Sequence, residues 1–336
     1  MGKKTGKRTL SLDKKINIIS SANIVGKYEG EGPLGRLFDI VINDEYFGEK
    51  TYEKAEVKLQ KKALELALQK GLLKSGDLDF IASGDLLNQC ISSSYSVRDN
   101  DVPYIGLFGA CSTMTLSIIV AALTIESGYS SYAAGVTSSH FCTAERQFRQ
   151  PLEYGGQKPP SAQRTVTAGA AVILGENRGS VRLERITLGS VIDYMISDTN
   201  NMGAAMAPAA ADTLSSYFYD TATSPDEYDL ILTGDLGAVG KSILIDLMKE
   251  KGFEIESNYN DCGVMIFDSE KQDTHSGGSG CGCSGAVLTG YVLPKLQSGE
   301  LKKVLFMSTG ALMSPTASMQ GESIPGIAHL MYLKGE

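Results

Sequence analysis

With 336 residues, 42% of them hydrophobic, the chain can bury a large core, either as two domains or as one duplicated body. A net charge of −8 argues against broad nucleic-acid binding, which needs a basic face to displace counterions. Six cysteines spread over this length read as reduced thiols, not a disulfide framework.

Residues 1–15 carry Lys3, Lys4, Lys7, Arg8, Lys14 and Lys15 with no apolar signal core behind them. They read as a basic arm, frayed and solvated, rather than a secretory signal. Residues 16–25 are β-rich and run into a glycine-rich loop over 26–35. Over 52–70, Val57, Ala63, Leu64, Ala67 and Leu68 recur at helical spacing, and Gly71 ends the run. A strand from Asp79 follows, then a strand-like stretch over 104–108, an apolar helix over 114–125 and a strand over 133–137. The apolar helix has about 12 residues, too few to cross a bilayer. Residues 138–165 lack periodicity and hold Pro151, Gly155, Gly156, Pro159 and Pro160, which predicts a functional insertion. Beyond it come a helix over 209–221, a break at Ser224-Pro225-Asp226, a strand from Asp229 and a helix over 238–251 closed by Gly252.

Two stretches say nearly the same thing: Asp79-Phe80-Ile81-Ala82-Ser83-Gly84-Asp85-Leu86 and Asp229-Leu230-Ile231-Leu232-Thr233-Gly234-Asp235-Leu236. Each is followed by a Cys-Ser pair, Cys111-Ser112 and Cys283-Ser284, opening an apolar run that stops at Ser-Gly. One α/β unit is written twice, as residues 16–177 and 178–336, with the insertion in the first copy. Strands alternating with helices predict a layered α/β fold with mixed sheets and helices between and outside them. Function is expected where the copies differ.

Cys111 opens a helix, where the dipole can draw a thiol pKa from about 8.5 toward 7 or below, so it is the candidate nucleophile; burial at a tight turn is the plainer alternative. The Gly-Ala-Cys-Ser opening of a buried helix in a duplicated chain resembles the nucleophile elbow of the thiolase superfamily. The segment Gly277-Gly278-Ser279-Gly280-Cys281-Gly282-Cys283-Ser284-Gly285 resembles that superfamily's Gly-His-Pro-x-Gly-x-Ser-Gly signature, with Ser279 at the position of the catalytic histidine. Ser308 falls roughly where thiolases place a second cysteine, and Thr233-Gly234-Asp235-Leu236-Gly237 stands in place of an Asn-Glu-Ala-Phe sequence. A serine cannot replace histidine as a base near neutral pH. The resemblance therefore implies a thiolase-like fold whose Cys111 is vestigial, with no catalytic residue and no resident cofactor or metal.

The run from Ser138 to Arg149, with Glu153-Tyr154-Gly155-Gly156-Gln157-Lys158-Pro159-Pro160, resembles the stage V sporulation protein AD family of spore-forming bacteria. That resemblance implies non-catalytic binding of dipicolinate, pyridine-2,6-dicarboxylate, with calcium entering only as its chelate. It implies transport of the ligand into the developing spore and its release at germination. It also implies a cytoplasmic protein peripherally associated with the spore inner membrane, with other channel subunits as partners and a homodimer allowed. The flat dicarboxylate wants cationic forks and an aromatic wall. Arg146, Arg149 and Arg164, with Lys158, supply the first, and Phe141, Phe148 or Tyr154 the second. Cys111, Ser139, His140 and Ser279 complete the expected binding set. An acyltransferase using Cys111 with His140 as base, and a purely structural subunit of a membrane complex, are the alternatives. Gly237 to Ser242 ends like a phosphate loop but has Asp235 where glycine is needed. Cys281-Gly282-Cys283 with His275 lacks zinc spacing and reads as a glycine turn, and His329 reads as structural.

Overall fold

The computed structural model describes residues 2–148, 157–176 and 178–336. Its largest sheet contains two sets of five strands with the same pairing pattern. In the first set Tyr104–Gly106, Phe80–Gly84 and Tyr132–Ser139 run parallel, then Ala168–Glu176 and Ile16–Gly26 add antiparallel. In the second, Tyr259–Asp261, Leu230–Thr233 and Lys303–Ala311 run parallel, then Gly326–Gly335 and Val181–Thr187 add antiparallel. The sets meet where Val181 and Arg182 pair with Ile18 and Asn17.

Side-chain alternation along the strands builds the layers. On Ala168–Glu176, Ala170, Val172 and Leu174 belong to the central core, while Ala171 and Ile173 pack with Leu59, Ala63 and Ala67 of helix Tyr52–Lys70. On Lys303–Ala311, Val304 and Phe306 join the central core and Leu305 and Met307 pack with helix Met202–Thr221. Two helical runs fill the middle, Thr113–Glu126 and residues 281–297, and each touches strands. The second contains a π turn at Leu288–Val292, just ahead of Pro294, which has no N–H for a regular helical bond. This is the mixed, duplicated α/β arrangement expected from the repeat.

The central helix lies so close to its sheet that Gly135 has no room for a side chain: a Cβ there would meet Ile118 N at 2.9 Å and Ile118 Cα at 3.0 Å. Gly135→Ala is therefore expected to cost about 1–3 kcal/mol by overpacking, measurable as a lowered urea midpoint with an unchanged slope.

Three expectations need correction. The basic arm is not frayed, since Thr9–Ser11 pairs with Val181–Thr187 and the Asp220 carboxylate accepts the backbone N–H groups of Lys7, Arg8 and Thr9. The helix expected from residue 209 begins at Met202, capped by Asn201, and carries Pro208 inside it. Most of the described insertion is regular: strand Tyr132–Ser139 runs on into it, helix Phe141–Phe148 follows, and Arg164–Thr165 pairs in parallel with Gly278–Ser279. That helix has only 8 residues, about two turns, so it left little periodicity to read.

Candidate functional site

Cys111 follows a tight turn in which Ala110 takes a left-handed φ of 48°. Ser112 N donates to the Gly109 carbonyl and Gly109 N to Thr113 Oγ1, which fixes the turn at the foot of helix Thr113–Glu126. Cys111 lines a cavity whose empty volume, open mouth included, is about 720 Å³. Phe108, Phe148, Met202 and Met206 give it apolar walls, while Thr165, Thr199, Asn200 and Ser279 add neutral polar groups. Among the described residues its one charged lining group is Glu145, which pairs with Lys158 at 3.0 Å.

Ser279 Oγ stands 3.9 Å from Cys111 Sγ and donates to Asp235 Oδ2 at 3.1 Å. The same Oδ2 accepts Gly280 N at 2.8 Å, and Oδ1 accepts Thr309 Oγ1 at 2.9 Å. Burial is the main cause that lifts the Asp235 pKa to about 7, against the pull of the Gly280 N–H. Burial, and then the Asp235 carboxylate, push the Cys111 thiol up, so the helix dipole does not produce the lowered pKa expected from sequence. The thiol stays neutral. Asp235 and Thr309 were not singled out as site residues, although the repeat pointed to the first. Its counterpart Asp85 turns back into its own half, accepting from Leu87 N and from Ser93 N and Oγ, whereas Asp235 reaches toward Cys111.

Of the other expected residues, Phe148 also lines the Cys111 cavity, and the remaining described ones do not converge on it. His140 is fully buried, with Nε2 at 2.9 Å from the Glu45 carbonyl and Nδ1 accepting Cys142 N, and burial lowers its pKa. It precedes a helix rather than lying in an open loop. Ser139 is also buried, donating to the Val166 carbonyl and accepting Gly282 N. Helix Phe141–Phe148 presents different faces to three cavities: Ala144, Glu145 and Phe148 to the Cys111 cavity, Phe141 to a second, and Thr143, Arg146 and Gln147 to a third. Arg146 is ion-paired with Glu53 there. Strand alternation splits Arg164 and Thr165, sending the first to the second cavity and the second to the Cys111 cavity. Arg149 and Tyr154 lie outside the described residues. His275 lines the second cavity, and Cys281 is buried with its thiol on the Ser138 carbonyl. His329 is buried and accepts Gly189 N, and burial lowers its pKa to about 4. Among the described residues no helix is long and apolar enough to cross a membrane.

Comparison with known proteins agrees with this architecture. The chain resembles, over 96% of its own length and 97% of the other, cerulenin-bound OleA of Xanthomonas campestris, with a TM-score of 0.62 at 12% identity. It resembles 3-oxoacyl-[acyl-carrier-protein] synthase III of Aquifex aeolicus VF5 over 95% and 99% of the two chains, with a TM-score of 0.58 at 11% identity. Acat5 thiolase of Ascaris suum in complex with coenzyme A matches over 96% and 100%, with a TM-score of 0.58 at 10% identity. At these identities the likeness establishes the thiolase-like fold alone. Stage V sporulation protein AD of Bacillus subtilis (strain 168) is 43% identical over 327 residues, 97% of this chain and 96% of that protein. The family model for stage V sporulation protein AD matches residues 6–334. The chain therefore belongs to the stage V sporulation protein AD family, with a role in sporulation, and carries it on a thiolase-like fold.

Proposed function

We propose that the protein holds dipicolinate without transforming it, and that the Cys111 cavity receives it as the calcium chelate. The observation that carries this reading is the lining: an open cavity beside a neutral thiol, with Ser279 and no histidine among the described lining residues. A free dianion would meet Glu145 and no described cation in that lining, at a desolvation cost of several kcal/mol per charge. In the one-to-one calcium complex the two carboxylate charges are cancelled, which suits neutral hydroxyl and amide donors. A ligand of about 12 heavy atoms gaining 0.3 to 0.5 kcal/mol per atom binds at millimolar to tens-of-micromolar affinity. Such affinity lets a transport protein release its cargo. The partners this role calls for are other subunits of a channel at the spore inner membrane, which the protein joins from the cytoplasmic side. A homodimer is supported by the edge strand Tyr104–Gly106, whose Ile105, with Phe108 just after it, is exposed, at 48% and 49% respectively.

Calorimetry with dipicolinate plus equimolar calcium, and with dipicolinate plus chelator, tests the reading. Binding is expected to be tighter with calcium and weakened by Ala311→Phe, which fills the cavity wall. No heat under either condition at millimolar ligand would overturn it. A stable acyl adduct on Cys111 after incubation with acyl-CoA would favour the acyltransferase alternative.

A further inference from the structure

Helix Phe141–Phe148 borders the Cys111 cavity through Ala144, Glu145 and Phe148, yet among the described residues it enters none of the three larger apolar clusters. Its share of the core is a small cluster, Ala144 and Phe148 with Leu86, Cys111 and Cys281. Polar contacts must therefore do much of the holding. The ion pair of Arg146 with Glu53 lies at the surface, where such pairs contribute little.

The buried contact is of another kind. Glu56, fully buried on helix Tyr52–Lys70, accepts Thr143 Oγ1 of the short helix at 2.6 Å and Ser138 Oγ at 3.1 Å. One turn along, Gln60 Nε2 lies 3.3 Å from Ser138 Oγ and 3.1 Å from Ser93 Oγ, and Ser93 Oγ donates to Asp85 Oδ2 at 2.6 Å. Thr143, Glu56, Ser138, Gln60, Ser93 and Asp85 thus form one hydrogen-bonded chain, with no member more than 2% exposed. Two carboxyl groups share a dry interior. Holding both there as anions is costly unless a cation pairs with them. The other groups that bear on the pair are Glu53, Cys281, Cys90 and Tyr104, none of them cationic. Burial keeps nearby His140 neutral, and Arg146 and Glu145 of the short helix are paired with Glu53 and Lys158. Burial, then the Asp85 charge, raise the Glu56 pKa, and burial raises that of Asp85. A neutral Glu56 can accept from one hydroxyl and donate to the other, so protonation keeps the chain intact. Ionisation sets two like charges against each other in the interior.

We propose that Glu56 and Asp85, linked through Gln60 and Ser93, form a proton-operated latch on helix Phe141–Phe148, which holds the helix against the Cys111 cavity while Glu56 is neutral and lets it open when Glu56 ionises. In the open form Glu56 meets water and binds fewer protons than in the closed form, so opening becomes easier as pH rises. The latch itself needs only the cavity. Its use in letting cargo go rests on the Cys111 cavity holding dipicolinate.

Hydrogen exchange of the full chain, followed by mass spectrometry at about pH 6.5 and 8.5 and corrected for intrinsic rates, reads this opening. In the parent, opening of residues 141–148 is expected to rise at least about tenfold between the two, while strand Ala168–Glu176 hardly changes. Glu56→Gln cannot ionise and is expected to remove that step. Thr143→Val takes away the hydroxyl by which the helix is gripped, and is expected to raise opening several-fold already at the lower pH. This second variant keeps the test decisive should Glu56→Gln fold poorly. Unchanged opening in the parent across this range, an equal step in Glu56→Gln, or a Thr143→Val chain as closed as the parent would overturn the proposal. So would an equal step in strand Ala168–Glu176, which would mark loosening of the whole molecule. Dipicolinate with equimolar calcium at the higher pH is expected to suppress the step, by packing on Ala144 and Phe148. A pH step that this probe leaves untouched supports the latch and counts against the reading of the Cys111 cavity, so the two fail separately.

Discussion

Replacing Asp235 with alanine is expected to destabilise the fold at pH 6 by about 3–5 kcal/mol, since each buried donor left unpaired costs about 1–3 kcal/mol. Three donors depend on that carboxyl, the Gly280 N–H and the Ser279 and Thr309 hydroxyls, and they come from two separate segments of the chain. The loss is large against a typical total stability of about 5–15 kcal/mol. Asp235→Asn keeps a side-chain oxygen for part of this network and removes the ionisation, so it is expected to cost much less at pH 6. Above the Asp235 pKa of about 7 it should gain on the parent, whose buried carboxylate is then charged. Urea denaturation of the three proteins at pH 6 and 8.5 checks this. An alanine variant as stable as the parent at pH 6 would show that the carboxyl organises nothing.

Stability of the parent chain is expected to fall by on the order of 3 kcal/mol between pH 6.5 and 8.5. Burial raises Glu29 to about 7, Asp235 to about 7 and Asp261 to about 6. Burial, reinforced by the Asp85 charge, also raises Glu56. Each of these acids keeps its proton in the folded chain to a higher pH than in the unfolded chain. Over the interval between the two pKa values the folded state binds more protons, so stability declines as pH rises, and the full penalty is present above the folded value. His140 and His329 act in the opposite sense: burial keeps them neutral when folded, so their contribution is present above the unfolded pKa and is lost as pH falls below it. Well above pH 6.5 the histidine contribution is complete and the acids set a downward slope, joined toward pH 8.5 by the thiols that burial also raises, and near and below pH 6.5 the histidines oppose the acids. Thermal melts across this range should place the optimum on the acidic side of neutrality. A chain more stable at pH 8.5 than at 6.5 would contradict the assignment.

The duplication, the layered sheets and the position of Cys111 were legible because repeats and long periodic helices leave strong patterns in a sequence. The helix expected from residue 209 starts at Met202 because the Asn201 cap and a buried face carry it through Pro208, a residue that ordinarily disfavours a helix interior. The candidate site was only half legible. Cys111 and Ser279 do share a cavity, but sequence proximity grouped Phe141, Arg146 and Arg164 with them, whereas helical and strand geometry turns those three elsewhere. His140 and Ser139 looked available because residues that follow a strand often lie in an open loop, yet both are consumed by backbone partners. Asp235 was visible as a repeated residue, but which copy faces the cleft depends on contacts between the halves, and no local pattern encodes those.

Helix Phe141–Phe148 is a party wall shared by three rooms, which constrains how the molecule can change. Selection for a better fit in any one of them by altering this segment would disturb its neighbours. Adaptation of ligand preference in the family is therefore expected to proceed through the outlying walls, such as residues 199–206 or 273–275, while this single element drifts slowly.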